Sequence, residues 1–230
     1  EKISSIVRSQ GAVFHCDAAQ APIAMTMTSF GEYTDILSLS SHKMYGPKGV
    51  GVIYISRDLQ GQIEPLVYGG GQQNGVRSGT LPTPLCVGIG AAAIMCASEA
   101  AEEKRLLLRR HRDDFIDKLD NLSWPITVNG PAGHSRHPGN ANIRFIDHSA
   151  HDILGTLQPR LAASTGSACT SGIPEPSHVL RAIGLDADEA ETSIRFSLGF
   201  DTTDRDVEEA VSLIDSALTK LSKTELPRSA

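Results

Sequence analysis

Three short apolar runs, each closed by polar or glycine-rich punctuation, constrain this chain more than any other feature. Residues 1–10 read as a helix that Gly11 stops, and Ala12-Val13-Phe14-His15-Cys16 then reads as a buried strand ending in Asp17-Ala18-Ala19-Gln20. Asp35-Ile36-Leu37-Ser38-Leu39-Ser40 reads as a second strand running into Ser41-His42-Lys43. Gly51-Val52-Ile53-Tyr54-Ile55-Ser56 reads as a third, after a glycine-rich turn. In open α/β sheets ligands collect beyond strand ends, which places Asp17 and Lys43 where chemistry is expected. The stretch from Gly69 to Thr80 holds too many glycines for a helix or strand and reads as a loop.

From Pro84 a helix dense in small residues follows, suited to close packing, and its character changes near Ala97. Glu99 to Leu122 is charged with an apolar stripe at Ala101, Leu108, Phe115 and Leu122, the pattern of a helix with one buried face. A domain boundary is therefore expected near residues 96–100, giving parts 1–97 and 98–230. The second part reads as a small α+β domain, with strands at 141–146 and 192–198 and a short helix at 177–183. Its closing helix has an apolar face of Val207, Val211, Ile214, Leu218 and Leu221 and a capping signal at Thr203 and Asp206. At roughly 150 residues per domain, this chain amounts to about one and a half domains.

The 21 Lys and Arg against 27 Asp and Glu leave a net charge of -6, which argues against a nucleic-acid surface or a polybasic membrane anchor. Small-molecule chemistry or protein partners fit better. No apolar run approaches the roughly 18 residues of a membrane span, and no signal peptide opens the chain. Cys16, Cys86, Cys96 and Cys169 form no CxxC, so neither a disulfide scaffold nor a zinc knuckle is suggested, and a soluble protein of the reducing cytosol is expected.

Several residue types could carry chemistry. A lysine held between an apolar run and a turn, as Lys43 is, can be partly shielded from water and act as a nucleophile toward an aldehyde. An acid at one strand end and a lysine at another match the needs of pyridoxal phosphate: an amine for the imine and a carboxylate to keep the ring nitrogen protonated. Ser40, His42 and Thr80 sit in segments that could supply phosphate donors. Taken singly, each has a plainer reading: Lys43 as a surface lysine, Asp17 as a strand-ending turn residue. Cys169 lies in a small, polar segment, Ser164 to Gly172, unlike the apolar settings of Cys86 and Cys96, and a cysteine on a mobile loop can reach a substrate and leave again. Arg195 is a charge inside a strand pattern, and a half-buried guanidinium wants a carboxylate, from the protein or from a substrate. His134/His137 and His148/His151 form two HxxH pairs that could make a zinc site or be exposed loop histidines.

Five stretches together resemble cysteine desulfurases of the iron-sulfur assembly type, in the class V aminotransferase group: His15-Cys16-Asp17-Ala18-Ala19-Gln20, Ser40 to Gly49, Arg77-Ser78-Gly79-Thr80, Gly166-Ser167-Ala168-Cys169 and Ser193-Ile194-Arg195-Phe196-Ser197. The resemblance implies an α/β fold-type I pyridoxal-phosphate transferase: the C-terminal part of a large mixed-sheet domain plus a small α+β domain carrying the cysteine loop. It implies that Lys43 forms the imine, Asp17 meets the pyridine nitrogen, Gln20 the phenolic oxygen, and Ser40 and His42 the phosphate. Thr80 would reach the phosphate of the other subunit's cofactor in a homodimer. Arg195 would hold the carboxylate of L-cysteine, and Cys169 would take its sulfur as a persulfide, leaving alanine. The persulfide would pass to an acceptor protein, an iron-sulfur scaffold or a thiolation relay. No resident metal is implied, only transient iron-sulfur contact through Cys169.

The family's phosphate-binding turn, a ring-stacking histidine and an asparagine lie upstream of the region that Asp17 matches. The chain is therefore expected to lack an N-terminal portion, to bind cofactor poorly alone and to expose apolar area. A truncated regulatory protein, an aminotransferase and a selenocysteine lyase are the alternative expectations.

Overall fold

The computed structural model describes residues 1–165 and 176–225. The chain divides into two compact units, Glu1–Arg105 and Leu106–Ala230.

In the first unit, helix α1 (Lys2–Ser9) ends where Gly11 takes a φ of 64°. Strand β1 (His15–Asp17) is followed by the single-turn helices α2 (Ala21–Ala24) and α3 (Phe30–Tyr33), and then by β2 (Ile36–Ser40). A 3-10 turn at Ser41–Lys43 leads toward β3 (Gly51–Ile55), α4 (Arg57–Gln60) and a long loop, and α5 (Thr83–Ala97) closes the set. β1 and β2 pair in parallel, with α2 and α3 in the crossover, and β2 and β3 pair antiparallel, so the sheet is mixed.

The first strand starts later than the apolar run does. The Phe14 amide donates to the Asp35 carboxylate at 2.8 Å, and the Phe14 carbonyl accepts from the amides of Asp35 and Ile36. Regular pairing therefore begins only at His15. The expectation that α5 is closely packed also needs correcting. Ile89, Ala92 and Cys96 are buried with Met44, whereas Val87 and Ile94 are exposed, as are Val52, Ile53, Tyr54, Leu66, Val67 and Tyr68 elsewhere in the unit.

The division between units falls within α6 (Glu99–Asp120). Beyond it come β4 (Ile126–Val128), β5 (Asn140–Phe145), α7 (Ala150–Leu157), α8 (His178–Ala182), α9 (Ala187–Glu191), β6 (Ser193–Ser197) and α10 (Asp204–Glu225). β4, β5 and β6 form an antiparallel sheet in that order. Period-2 alternation turns Ala141, Ile143, Phe145, Ile194 and Phe196 into a core with Phe115 and Leu119 of α6, Ile153 and Leu157 of α7, and Val207, Ile214 and Leu218 of α10. The other face of the sheet carries Asn140, Asn142, Arg144 and Arg195. β4, α7 and α9 are additional to the elements read from the sequence. Three to eight residues are too few for periodicity to register, although Ser149 caps α7 and an Asp186/Glu189 capping box starts α9. Among the described residues no single helix is long and apolar enough to cross a membrane.

The Phe196 ring lies 5.1 Å from that of Phe115 and 6.4 Å from that of Phe145. Phe196→Ala is expected to lower the stability of the second unit by about 3–5 kcal/mol in denaturant unfolding. At the start of α10, the Asp206 carboxylate accepts the Thr203 hydroxyl at 2.7 Å and amide at 2.9 Å, and these bonds hold it below the ordinary carboxylate range. A depressed folded-state value stabilises at neutral pH, and that stabilisation is lost as pH falls through it. Asp206→Asn should therefore flatten the acid side of the melting-temperature profile.

Candidate active site

Parallel pairing brings the C-terminal ends of β1 and β2 to one edge of the sheet. Asp17 ends β1 opposite Ser38 of β2, and the next amide, that of Ala18, donates to the Ser38 carbonyl at 2.9 Å. The Asp17 carboxylate accepts the Ala19 amide at 3.0 Å, a turn that delivers Gln20 to the N-cap of α2. β2 ends at Ser40, whose Oγ lies 3.1 Å from His42 Nδ1, and the 3-10 turn then presents Lys43. A carboxylate, an amide, a hydroxyl, an imidazole and an amine therefore come from two neighbouring strand ends. Asp17, Gln20, His42 and Lys43 are exposed, and the Lys43 amine has no hydrogen-bond or ion-pair partner among the described residues. The shielding of Lys43 expected from the sequence is absent among those residues: the apolar neighbours of the turn take Met44 instead.

Met44, 2% exposed, plugs between Ile89, Ala92 and Cys96, and so fixes the residue that follows the lysine. Ser41 donates its amide to the Val50 carbonyl, and its own carbonyl accepts the amides of Met44 at 3.0 Å and Gly46 at 2.9 Å. Tyr45 takes a left-handed φ of 68° within this closure. A Cβ on Gly46 would lie 2.2 Å from Ser41 Oγ and 3.2 Å from the Ser41 carbonyl oxygen, so the turn closes only around glycine.

Sequence reading missed the residues that brace this edge. The Cys96 thiol, pushed up by burial against the opposing pull of the Arg105 charge, donates to the Met44 carbonyl at 3.8 Å. It serves as a structural group rather than a nucleophile. The buried Arg105 guanidinium donates to the carbonyls of Pro22, at 2.8 Å, and Cys96, and pairs with Glu102. It thereby ties α2, the helix after Gln20, to the end of α5. In sequence Arg105 is one of many charges on α6, and no pattern singled it out.

Thr80 is exposed at the end of the glycine-rich loop. Gln72 Oε1 accepts the Gly79 amide at 2.8 Å there, and Gln73 and Asn74 take positive φ. Arg195 lies in the second unit, on β6, where its main chain exchanges hydrogen bonds with Ser164. Its Nε is buried without a partner among the described residues, and its side chain lines a cavity of about 380 Å³. Cys169 falls outside the described residues. His134 Nδ1 contacts an Arg109 nitrogen at 2.7 Å, and His148 is buried edge-on against Trp124. Among the described residues no group of His, Cys, Asp or Glu could hold a metal ion, so the HxxH pairs gain no support as a zinc site.

Comparison with known proteins fits this arrangement. The aminotransferase class-V family matches residues 1–210, and the chain belongs to that family. Cysteine desulfurase IscS of Rickettsia bellii is 40% identical over 225 residues, covering 96% of this chain and 53% of the relative; that of Rickettsia akari is 40% identical, covering 97% and 54%. The chain spans about half the length of these curated relatives. Among solved structures, a NifS-like protein superposes with a TM-score of 0.82 at 27% identity, covering 95% of this chain and 56% of the other. A structure of SspA in complex with cysteine has a TM-score of 0.67 at 32% identity, covering 88% and 55%.

The fold is that of the fold-type I enzymes, and proteins of this family depend on pyridoxal 5'-phosphate. The donor set at the strand ends fits that group. Its ring nitrogen calls for a carboxylate, its phenolic oxygen for a donor, its phosphate for hydroxyl and imidazole, and its aldehyde for a free amine. Borohydride reduction in the presence of the cofactor should label the peptide containing Lys43 and leave Lys43→Ala unlabelled. Gly46→Ala should reduce labelling about tenfold, overpacking of this kind costing about 1–3 kcal/mol.

Proposed function

We propose that this protein acts as a cysteine desulfurase, taking sulfur from L-cysteine with pyridoxal phosphate as cofactor. The observation that carries this reading is the placement of Asp17, Gln20, Ser40, His42 and Lys43 at one edge of the sheet, with no partner for the Lys43 amine among the described residues. The names of the relatives support it. When bound, the cofactor supplies an electron sink for a carbanion at the substrate Cα.

The chain's own residues do the rest. Lys43 would hold the cofactor through its amine, and the same amine would move the proton at the substrate Cα. Asp17 would keep the ring nitrogen protonated, Gln20 would donate to the phenolic oxygen, and Ser40 and His42 would hold the phosphate. Arg195 fixes the substrate carboxylate. The Cys169 thiolate bonds to the substrate sulfur as the carbon–sulfur bond breaks. L-cysteine and one thiol thus become alanine and one persulfide, with no external oxidant or reductant.

The persulfide sulfur passes to the thiol of an acceptor protein serving iron-sulfur cluster assembly or thio-modification. A homodimer, in which Thr80 reaches the partner's phosphate site, is supported by the exposed apolar residues of β3 and of Leu66, Val67 and Tyr68. The free state of Cys16, Cys86 and Cys96 supports a reducing, cytosolic setting. Cofactor-loaded protein given L-cysteine and a thiol reductant should release sulfide and alanine in equal amounts. Cys169→Ala should release neither while still labelling Lys43; undiminished sulfide from that variant would falsify the reading and favour another pyridoxal-phosphate reaction.

A further inference from the structure

The polar face of the second unit's sheet carries a row of side chains across all three strands. Asn142 of β5 and Arg195 of β6 are register partners. The Arg195 main chain spends its hydrogen bonds on Ser164, while the Asn142 carbonyl accepts the Asn129 amide at 2.9 Å, on the β4 side. The two residues therefore form a non-hydrogen-bonded pair, the kind whose Cα atoms approach to about 4.5 Å and whose side chains lie closest.

A chain of hydrogen bonds decides which end of the Asn142 amide is free. The Ser193 hydroxyl donates to the Glu189 carbonyl at 2.7 Å, so its oxygen is left to accept. The donor it accepts from is Asn129 Nδ2, at 2.9 Å. The same Nδ2 donates to Asn142 Oδ1 at 2.7 Å. With its oxygen taken, Asn142 has its Nδ2 donors left, and they have no partner among the described residues.

Asn142 and Arg195 both line the cavity of about 380 Å³, together with Arg136, and among the described residues no carboxylate lines it. The Arg136 guanidinium is committed to the carbonyls of Pro131 and Asn129. Arg195 has no side-chain partner among the described residues, and its buried Nε is left without one. A concave site that has, among the described residues, one uncommitted guanidinium, an adjacent uncommitted amide NH2 and no competing acid favours a carboxylate.

We propose that Asn142 is a second recognition residue for the substrate carboxylate, donating beside Arg195, and that Asn129 and Ser193 are positioning residues that fix its amide in the donating orientation. The identity of that carboxylate as the one on L-cysteine rests on the cysteine desulfurase reading; the recognition itself does not.

Two measurements separate the two claims. In the first, the isotope-labelled full chain without cofactor is titrated with 3-mercaptopropionate, which has a carboxylate and a thiol but no amine, and with 2-mercaptoethanol, which lacks the carboxylate. The Asn142 Nδ2 and Arg195 Nε resonances should shift together with the first ligand only. Asn142→Asp keeps the shape and the oxygen that Asn129 binds but has no donor to offer. It should weaken 3-mercaptopropionate binding at Arg195 at least about tenfold, the scale of one hydrogen bond to a charged group. A shift at Arg195 without one at Asn142, an equal response to 2-mercaptoethanol, or no response to 3-mercaptopropionate overturns the proposal.

In the second, cofactor-loaded protein is titrated with L-cysteine and with cysteamine, the same molecule without its carboxylate, following cofactor absorbance. Asn142→Ala should weaken L-cysteine about tenfold and leave cysteamine unchanged. Equal weakening of both, or of neither, overturns the role of Asn142. If the wild type releases no sulfide while the first titration behaves as expected, the desulfurase reading fails and the carboxylate site stands.

Discussion

The parallel pairing of β1 with β2 is the constraint from which the candidate site follows. Two strands that run the same way end on the same side, so a carboxylate closing one and an amine just past the other are neighbours without any long-range search. Antiparallel pairing would have sent Asp17 and Lys43 to opposite edges. The crossover through α2 and α3 makes the parallel arrangement possible, and it places the backbone of Gln20 at the start of the returning chain. The antiparallel addition of β3 then stitches the far side of the Lys43 turn, through the pairing of Ser40 with Gly51 and the bond from Ser41 to Val50.

That turn shows how an exposed functional group can be placed by buried neighbours. The lysine side chain has no partner among the described residues, while the residue after it is a core side chain and the residue two before it is fully buried. The position of the Lys43 backbone is thus set by packing at Met44 and by close approach at Gly46, while its side chain stays exposed. Arg195 is held by a comparable logic in the second unit: main-chain bonds on one edge and a cross-strand neighbour on the other fix the strand, and the guanidinium is left without a partner among the described residues.

Much of this was legible in the sequence because the informative residues sit at boundaries. Strand-ending Asp17 and Ser40, the histidine and lysine after them, and a charge in an otherwise apolar strand each violate a local pattern, and a violated pattern is visible in one dimension. α6 and α10 were legible for the complementary reason, their regular apolar stripes, and β2 and β3 as apolar runs between polar or glycine-rich stretches. What stayed hidden depends on contacts distant along the chain. The start of β1 was set by Asp35, twenty-one residues from Phe14. Arg105 reaches Pro22 across eighty-three residues. Asn129 and Asn142 look like ordinary loop and strand polar residues until the sheet lays them side by side. The short β4, α7 and α9 lacked the length to announce themselves.

The Arg105 clamp has a consequence for the way the sheet edge can loosen. One guanidinium holds the carbonyls of Pro22 and Cys96, and the Cys96 thiol in turn holds that of Met44. The segment after Asp17 and the segment after Lys43 therefore share a single fastening. Fraying at the last turn of α5 would therefore loosen both segments at once, the second keeping its packing on Ile89 and Ala92 and its bond to Val50. A local opening at the end of α5 thus reaches the strand end that carries the acid and the turn that carries the amine together.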